Sequence, residues 1–131
     1  MEQAAKPPAR GTLLVVDDDP MMLRAVERLL RERWEVAVAR HPEEALNLLL
    51  GGRRFDAILC DMWMPAMTGM DLHQEIARTM PEQAARMVFA SGGGLPSRLS
   101  NFTKTHPHID KPFCAEDLEQ ILEAFLRPTR P

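Results

Sequence analysis

Apolar positions along the chain fall into two alternating textures: short unbroken runs, and longer stretches with helical spacing. Leu13-Leu14-Val15-Val16 is an aliphatic run without polar interruption, the mark of a strand covered on both faces. It passes directly into Asp17-Asp18-Asp19 and then Pro20, a residue suited to the first helical position. Leu23, Val26, Leu29 and Leu30 follow at the spacing of one helix face. Trp34 to Ala39 reads as a second strand. His41-Pro42-Glu43-Glu44 opens a second helix, its acids lying where the helix dipole favours negative charge, and Gly51-Gly52 closes it. Phe55 to Cys60 is a third apolar run that ends at Asp61, and Gly69 to Thr79 has helical character. Met87 to Ala90 is a fourth run ending at Ser91. A short helix is expected over Ser97 to Lys104, and His108-Ile109-Asp110 is a brief fifth strand before Lys111-Pro112. The last element, Glu116 to Leu126, carries Leu118, Ile121, Leu122 and Phe125 on one stripe, as an amphipathic helix does.

Such strand–helix alternation predicts an α/β domain, a parallel sheet with helices on both faces. Residues 1–11, rich in Ala, Pro and Gly, read as a flexible leader, residues 12–127 as the domain and residues 128–131 as a tail. At 131 residues the chain has enough length for one ordinary core. The charge balance, 16 Lys+Arg against 19 Asp+Glu, supplies no basic face, so direct nucleic-acid binding is not expected. No apolar run approaches the ~20 residues of a bilayer crossing. The first residues also lack the apolar core of a secretory signal, so a cytoplasmic protein with no membrane contact is expected. Cys60 and Cys114 are too few for a disulfide framework or a zinc knuckle.

The informative residues stand where the apolar runs end. Strand one ends in Asp17 and Asp18, strand three in Asp61, strand four in Ser91, and strand five leads to Lys111. In a parallel sheet these ends share one edge, the edge at which ligands bind. Converging carboxylates repel one another unless one is protonated or a cation joins them, either the lysine or a divalent metal. An oxygen-only donor set suits Mg²⁺ (or Mn²⁺) better than zinc. A carboxylate so placed, with an ammonium and a hydroxyl nearby, is able to accept a phosphoryl group in line.

Four motifs in order, Val15-Val16-Asp17-Asp18-Asp19-Pro20, Cys60-Asp61-Met62-Trp63-Met64-Pro65, Ala90-Ser91 and Asp110-Lys111-Pro112-Phe113, resemble the receiver domain of two-component response regulators. The resemblance covers about residues 12–127 and implies a five-stranded parallel sheet in the order 2-1-3-4-5. It implies that Asp61 takes a phosphoryl group from a histidine kinase or phosphotransfer protein and that the change is read by a downstream protein partner. Asp17 and Asp18 would hold the metal, with Asp18, Asp61 and the Trp63 backbone carbonyl as ligands. Ser91 takes the place of the switch hydroxyl, and Lys111 that of the lysine pairing with the acyl phosphate. Such a chain is no enzyme beyond its own Mg²⁺-dependent phosphorylation and autodephosphorylation. It is expected either to stand alone or to be the C-terminal receiver of a hybrid histidine kinase.

Three positions depart from the family pattern. His108 stands where the family usually has Tyr or Phe, which puts the aromatic half of the switch in question. Trp63, two residues after the acceptor, is bulkier than usual and is expected to restrict hydrolytic water. Gly92-Gly93-Gly94 and Pro96 leave room for only a short or displaced fourth helix. Plainer roles are expected elsewhere: Asp19 as a helix cap, His106-x-His108 as ordinary loop residues, and Met21, Met22, Met62, Met64, Met67 and Met70 as gap-filling apolar residues, some of them exposed near the site. Competing assignments are a haloacid-dehalogenase-like phosphatase using Asp17-x-Asp19, a flavodoxin-like nucleotide binder, and a degenerate receiver acting only as an interaction module. The phosphatase would leave Asp61 without a role, and three acids in the first loop would repel a nucleotide's phosphates.

Overall fold

The aliphatic runs become the interior strands of one sheet because each is flanked by neighbours on both edges and by helices on both faces. In the computed structural model, which describes residues 11–126, the strands are β1 (Gly11–Val16), β2 (Trp34–Ala39), β3 (Ala57–Asp61), β4 (Met87–Ser91) and β5 (His108–Asp110). All pairings are parallel and the order is β2-β1-β3-β4-β5. The helices are α1 (Pro20–Leu30), α2 (Pro42–Leu50), α3 (Gly69–Thr79), α4 (Pro81–Ala84), α5 (Ser97–Lys104) and α6 (Ala115–Glu123), the last followed by a 3₁₀ turn over Ala124–Leu126. Apart from Gly11, the leader and tail expected at the two ends lie outside the described residues.

Side chains alternate across the strands and divide the core into two layers. Leu14, Val16, Ile58, Cys60, Met87 and Phe89 face α2, α3 and α5, where Ala45, Leu49, Leu72, Ile76 and Leu99 meet them. Leu13, Val15, Ala57, Leu59, Val88 and Ala90 face α1 and α6, against Leu23, Val26, Leu30, Leu118 and Leu122. This double coverage is why β1 and β3 read as unbroken apolar runs, and it sends their polar ends to one common edge. Among the described residues no helix is long and apolar enough to cross a membrane.

The structure departs from the sequence reading at a few ends. β1 opens at Gly11, where a Cβ would come within 2.7 Å of both Asp56 Oδ2 and a Leu126 methyl. Asp61 and Ser91 end their strands as expected, whereas β1 stops at Val16 and leaves Asp17 and Asp18 just beyond it. The helix α4 was not expected; Pro81 restarts a helix at its first position immediately after α3 ends. Phe55 precedes β3 because a side chain, not a strand, satisfies its backbone. Its N–H donates to Gln83 Oε1 (3.0 Å), and Gln83 Nε2 donates to its carbonyl (3.1 Å). The helix after Ser91 is short, as expected. Gly93 (φ +94°) and Gly94 (φ +70°) take left-handed conformations that cost a glycine little, and α5 starts at Ser97 with no side-chain cap.

Gln83 is 3% exposed and sits over a buried backbone segment, so its amide cannot be replaced by water. Gln83→Leu keeps the bulk but strands the N–H and C=O of Phe55. It is expected to lower unfolding free energy by about 2–4 kcal/mol in urea titration, with an unchanged denaturant slope.

Candidate functional site

The edge at the carboxyl ends of β1 and β3 is built from the backbone outward. Asp17 follows the last residue of β1, and its N–H is held by the carbonyl of Ala39 at the end of β2 (3.1 Å). Its Oδ1 accepts the N–H of Asp19 (2.9 Å), which turns the chain toward α1. Asp19 in turn caps α1, accepting the N–H of Met21 at 3.0 Å, as expected for an extended residue before Pro20. Its carboxylate is therefore committed to the helix, which removes the second acid of the Asp-x-Asp phosphatase reading. Asp61 ends β3, and the loop after it closes tightly: Gly69 N–H donates to the Met62 carbonyl (2.9 Å). A Cβ on Gly69 would stand 3.0 Å from the Asp61 carbonyl oxygen and 3.1 Å from Met62 Cα, so only glycine lets α3 approach the acceptor loop this closely. Thr68 and Asp71 complete a reciprocal capping box at the start of α3. This Thr-x-x-Asp pattern was legible in the sequence but was not read there.

Asp17, Asp18 and Asp61 each place a carboxylate oxygen within 4.8 Å of the others. Asp17 is 3% and Asp61 8% exposed, while Asp18 is half-buried at the mouth. Lys111 enters from the far side of the sheet. Its Nζ donates to Asp17 Oδ2 (3.1 Å) and to Asp61 Oδ1 (3.2 Å). Its backbone N–H donates to the Ser91 carbonyl (2.8 Å), fixing the end of β5 to the end of β4. Ser91 is the last residue of β4, partly buried and opposite Asp110 in register.

Charge is costly here. Burial, and then the neighbouring Asp17, push the Asp61 carboxyl above the usual carboxylate range; the Lys111 ammonium and the Trp63 N–H oppose the rise without cancelling it. Burial alone would pull the Lys111 ammonium down, but Asp61 and Asp17 outweigh it and its pKa is raised. Cys60, fully buried beneath, is pushed far up by burial first and then by the acids, so it stays a neutral thiol.

The remaining candidates lie around this centre. Trp63 is 58% exposed and lines a cleft of ≈ 270 Å³ with Thr68, Pro96, Arg98 and Leu99, between the acceptor loop and the start of α5. His108 is not brought to the site. It lies exposed on β5, its Nδ1 3.0 Å from the His106 carbonyl, on the opposite face of the strand from Ile109, which is half-buried against the core. Of the methionines, Met62, Met64 and Met70 are buried and fill the acceptor loop and α3, while Met21 is 71% exposed on the first turn of α1. Among the described residues, no cluster of metal-ligating side chains other than Asp17, Asp18 and Asp61 is present.

The chain is similar to known proteins in sequence and in fold. The family described as the response regulator receiver domain matches residues 13–123. The transcriptional activator protein PfeR of Pseudomonas aeruginosa is 31% identical over 121 residues, covering 90% of this chain and 38% of the relative. The response regulator MprA of Mycolicibacterium vanbaalenii is 28% identical over 121 residues, covering 91% and 52%. The chain thus spans about half the length, or less, of these curated relatives. Among solved structures, a response regulator receiver domain protein from Clostridium thermocellum superposes with a TM-score of 0.75 at 26% identity, covering 88% of this chain and 93% of that one. The chemotaxis protein CheY4 of Vibrio cholerae gives 0.73 at 26% identity, covering 87% and 97%.

A raised Asp61 pKa binds more protons in the folded than in the unfolded state, so stability falls as pH rises through the interval above the ordinary carboxylate value. In the absence of divalent metal, Asp61→Asn is expected to be more stable than the parent at neutral pH. The gain is up to about 1 kcal/mol, because one flank of the site is open to solvent. The advantage is expected to vanish toward pH 4, and added MgCl₂ to narrow it by stabilising the parent; thermal melts across pH with and without Mg²⁺ check both.

Proposed function

The chain belongs to the response regulator receiver domain family, and from that membership we propose that it is a phosphoacceptor whose Asp61 takes a phosphoryl group from a histidine kinase or phosphotransfer protein. The observation that carries this reading is the Lys111 ammonium held between Asp17 and Asp61, with Asp18 beside them. A carboxylate with two acidic neighbours and one ammonium is held above its ordinary pKa range and is a more basic nucleophile, while the ammonium offers positive charge to the anionic phosphoryl group.

The donor set fits a hard divalent cation, being made of carboxylate oxygens with no imidazole or thiolate among them. Asp17, Asp18 and Asp61, with the backbone carbonyl of Trp63, would hold Mg²⁺ or Mn²⁺, and the bound ion supplies positive charge to the equatorial oxygens of the transferring phosphoryl group. The chain's own residues do the rest. An Asp61 carboxylate oxygen attacks phosphorus as the bond to the donor's imidazole nitrogen breaks, and the leaving imidazole takes up a proton. Lys111, already 3.2 Å from Asp61 Oδ1, exchanges part of its carboxylate pairing for a phosphoryl oxygen. Ser91, at the adjacent strand end, offers its hydroxyl to another. Because Lys111 and Ser91 are joined through the backbone, displacement of either is transmitted to β5 and to the loop before α5, where a downstream protein partner would read it. His108 lies outside this path on its exposed face, so the aromatic half of the family's switch has no counterpart at that position.

Incubation of the full chain with a small phosphodonor and Mg²⁺ is expected to yield one hydroxylamine-labile phosphoryl equivalent by mass spectrometry, and none in Asp61→Asn. Sustained release of phosphate over many equivalents would instead mark a phosphatase. Once labelled, the parent is expected to lose phosphate slowly, because a bulky indole two residues after the acceptor restricts hydrolytic water. Trp63→Asn is expected to shorten the lifetime of the label several-fold, measured by loss of the phosphorylated mass over time.

A further inference from the structure

Two histidines take no part in this chemistry, yet they organise the far side of the core. His73 projects from α3 and His106 from the loop between α5 and β5, and their rings meet nearly at right angles (74°) with centroids 5.0 Å apart. His106 lies flat on Phe102 of α5, at 3.8 Å and 14°. Its Nδ1 is 2.8 Å from the Phe102 carbonyl and 3.0 Å from the Thr105 hydroxyl, which ties the ring to the end of α5. His73 also meets Phe102 at 5.4 Å and Phe89 of β4 at 5.9 Å, and the two phenyl rings are 5.0 Å apart. Four rings from α3, β4, α5 and a loop thus form one cluster, and two of the four can become charged.

This cluster is a principal fastening of α5. The helix has no side-chain N-cap, follows a glycine loop, and buries only Leu99 fully. The charged groups on the elements around the cluster are engaged elsewhere or lie outside it. Asp71 of α3 is 3.8 Å from Arg98 of α5, and Glu75 is 3.0 Å from Arg78. Lys104 is exposed at the end of α5, and His108 of β5 binds the His106 carbonyl through its own Nδ1. β4 contributes only the phenyl ring of Phe89 to the cluster. The His106 ring is itself stacked on Phe102 and so is fixed beside His73. A proton on His73 meets no carboxylate among the described residues and stands against the His106 ring.

We propose that His73 and His106 form a proton-operated latch that holds α5 and the loop into β5 against α3, closed while His73 is neutral and released when His73 takes up a proton. Burial, and then His106, hold the His73 imidazole below its ordinary value, so the open state binds more protons than the closed one. The latch is therefore complete above the ordinary imidazole range and is lost as pH falls below it. This inference does not rest on the phosphoacceptor reading, since none of the four rings belongs to that site.

The test is amide exchange of the full chain by NMR, from about pH 7.5 to about pH 5.5, expressed as protection factors so that the intrinsic pH dependence cancels. Protection in α5, Thr105 and His106 is expected to fall with pH, by up to about tenfold per pH unit, the limit set by one extra proton in the open state, while α1 and α6 hold. His73→Phe keeps a ring in place and is expected to flatten that profile. An α5 whose protection does not change with pH, or a His73→Phe chain with the parent's profile, overturns the latch. Should the variant not fold, the parent's own ring titration decides. A His73 resonance titrating below the ordinary imidazole range, and broken into two steps by His106, supports it; one titrating normally in a single step overturns it.

Discussion

The ammonium of Lys111, between the carboxylates of Asp17 and Asp61, is the interaction on which the functional edge depends. Buried apolar strands deliver two acids, 44 positions apart in the chain, to within a few ångströms of each other in a place with little solvent. Such an arrangement is stable only if one acid is protonated or a cation is shared between them, and Lys111, directly after the last strand, provides the cation. The single positive charge does not fully balance the pair, which is why the Asp61 carboxyl remains above its ordinary range while Lys111 is bound more firmly to its proton. The deficit leaves this edge short of positive charge.

The sheet order makes this possible. β1 and β3 are neighbours, so Asp17 and Asp61 leave adjacent strands in nearly the same register. β4 lies between β3 and β5, which places Ser91 at a middle position and brings Lys111 over it, tied by its own N–H. Gly69 closes the acceptor loop without steric conflict, and the short α5, beginning three residues after the second left-handed glycine, leaves the cleft beside Trp63 open.

Most of this was legible in the sequence, for identifiable reasons. Unbroken runs such as Leu13–Val16 state both strand and double burial, and a polar residue at the end of each run marks the common edge. Helix limits set by strong local signals, Pro20 and Gly69 among them, were read correctly, as was Asp19 as a cap. What was not legible depends on distant partners. Phe55 looks like a strand residue, but its backbone is claimed by Gln83, 28 positions away. Pro81–Ala84 is too short for periodicity to register. His73 carries no sign in the sequence that it meets His106, since the contact is made by packing between α3 and the loop before β5 rather than by any spacing.

The most direct test of the account is the titration of Asp61 itself, followed through its side-chain carboxyl carbon by NMR in the intact protein. Without divalent metal, one aspartate is predicted to titrate above the ordinary carboxylate range, to be absent from the spectrum of Asp61→Asn, and to move downward on addition of Mg²⁺. If every aspartate titrates in the ordinary range, and saturating Mg²⁺ leaves them all unmoved, the shared-cation description of this edge is contradicted.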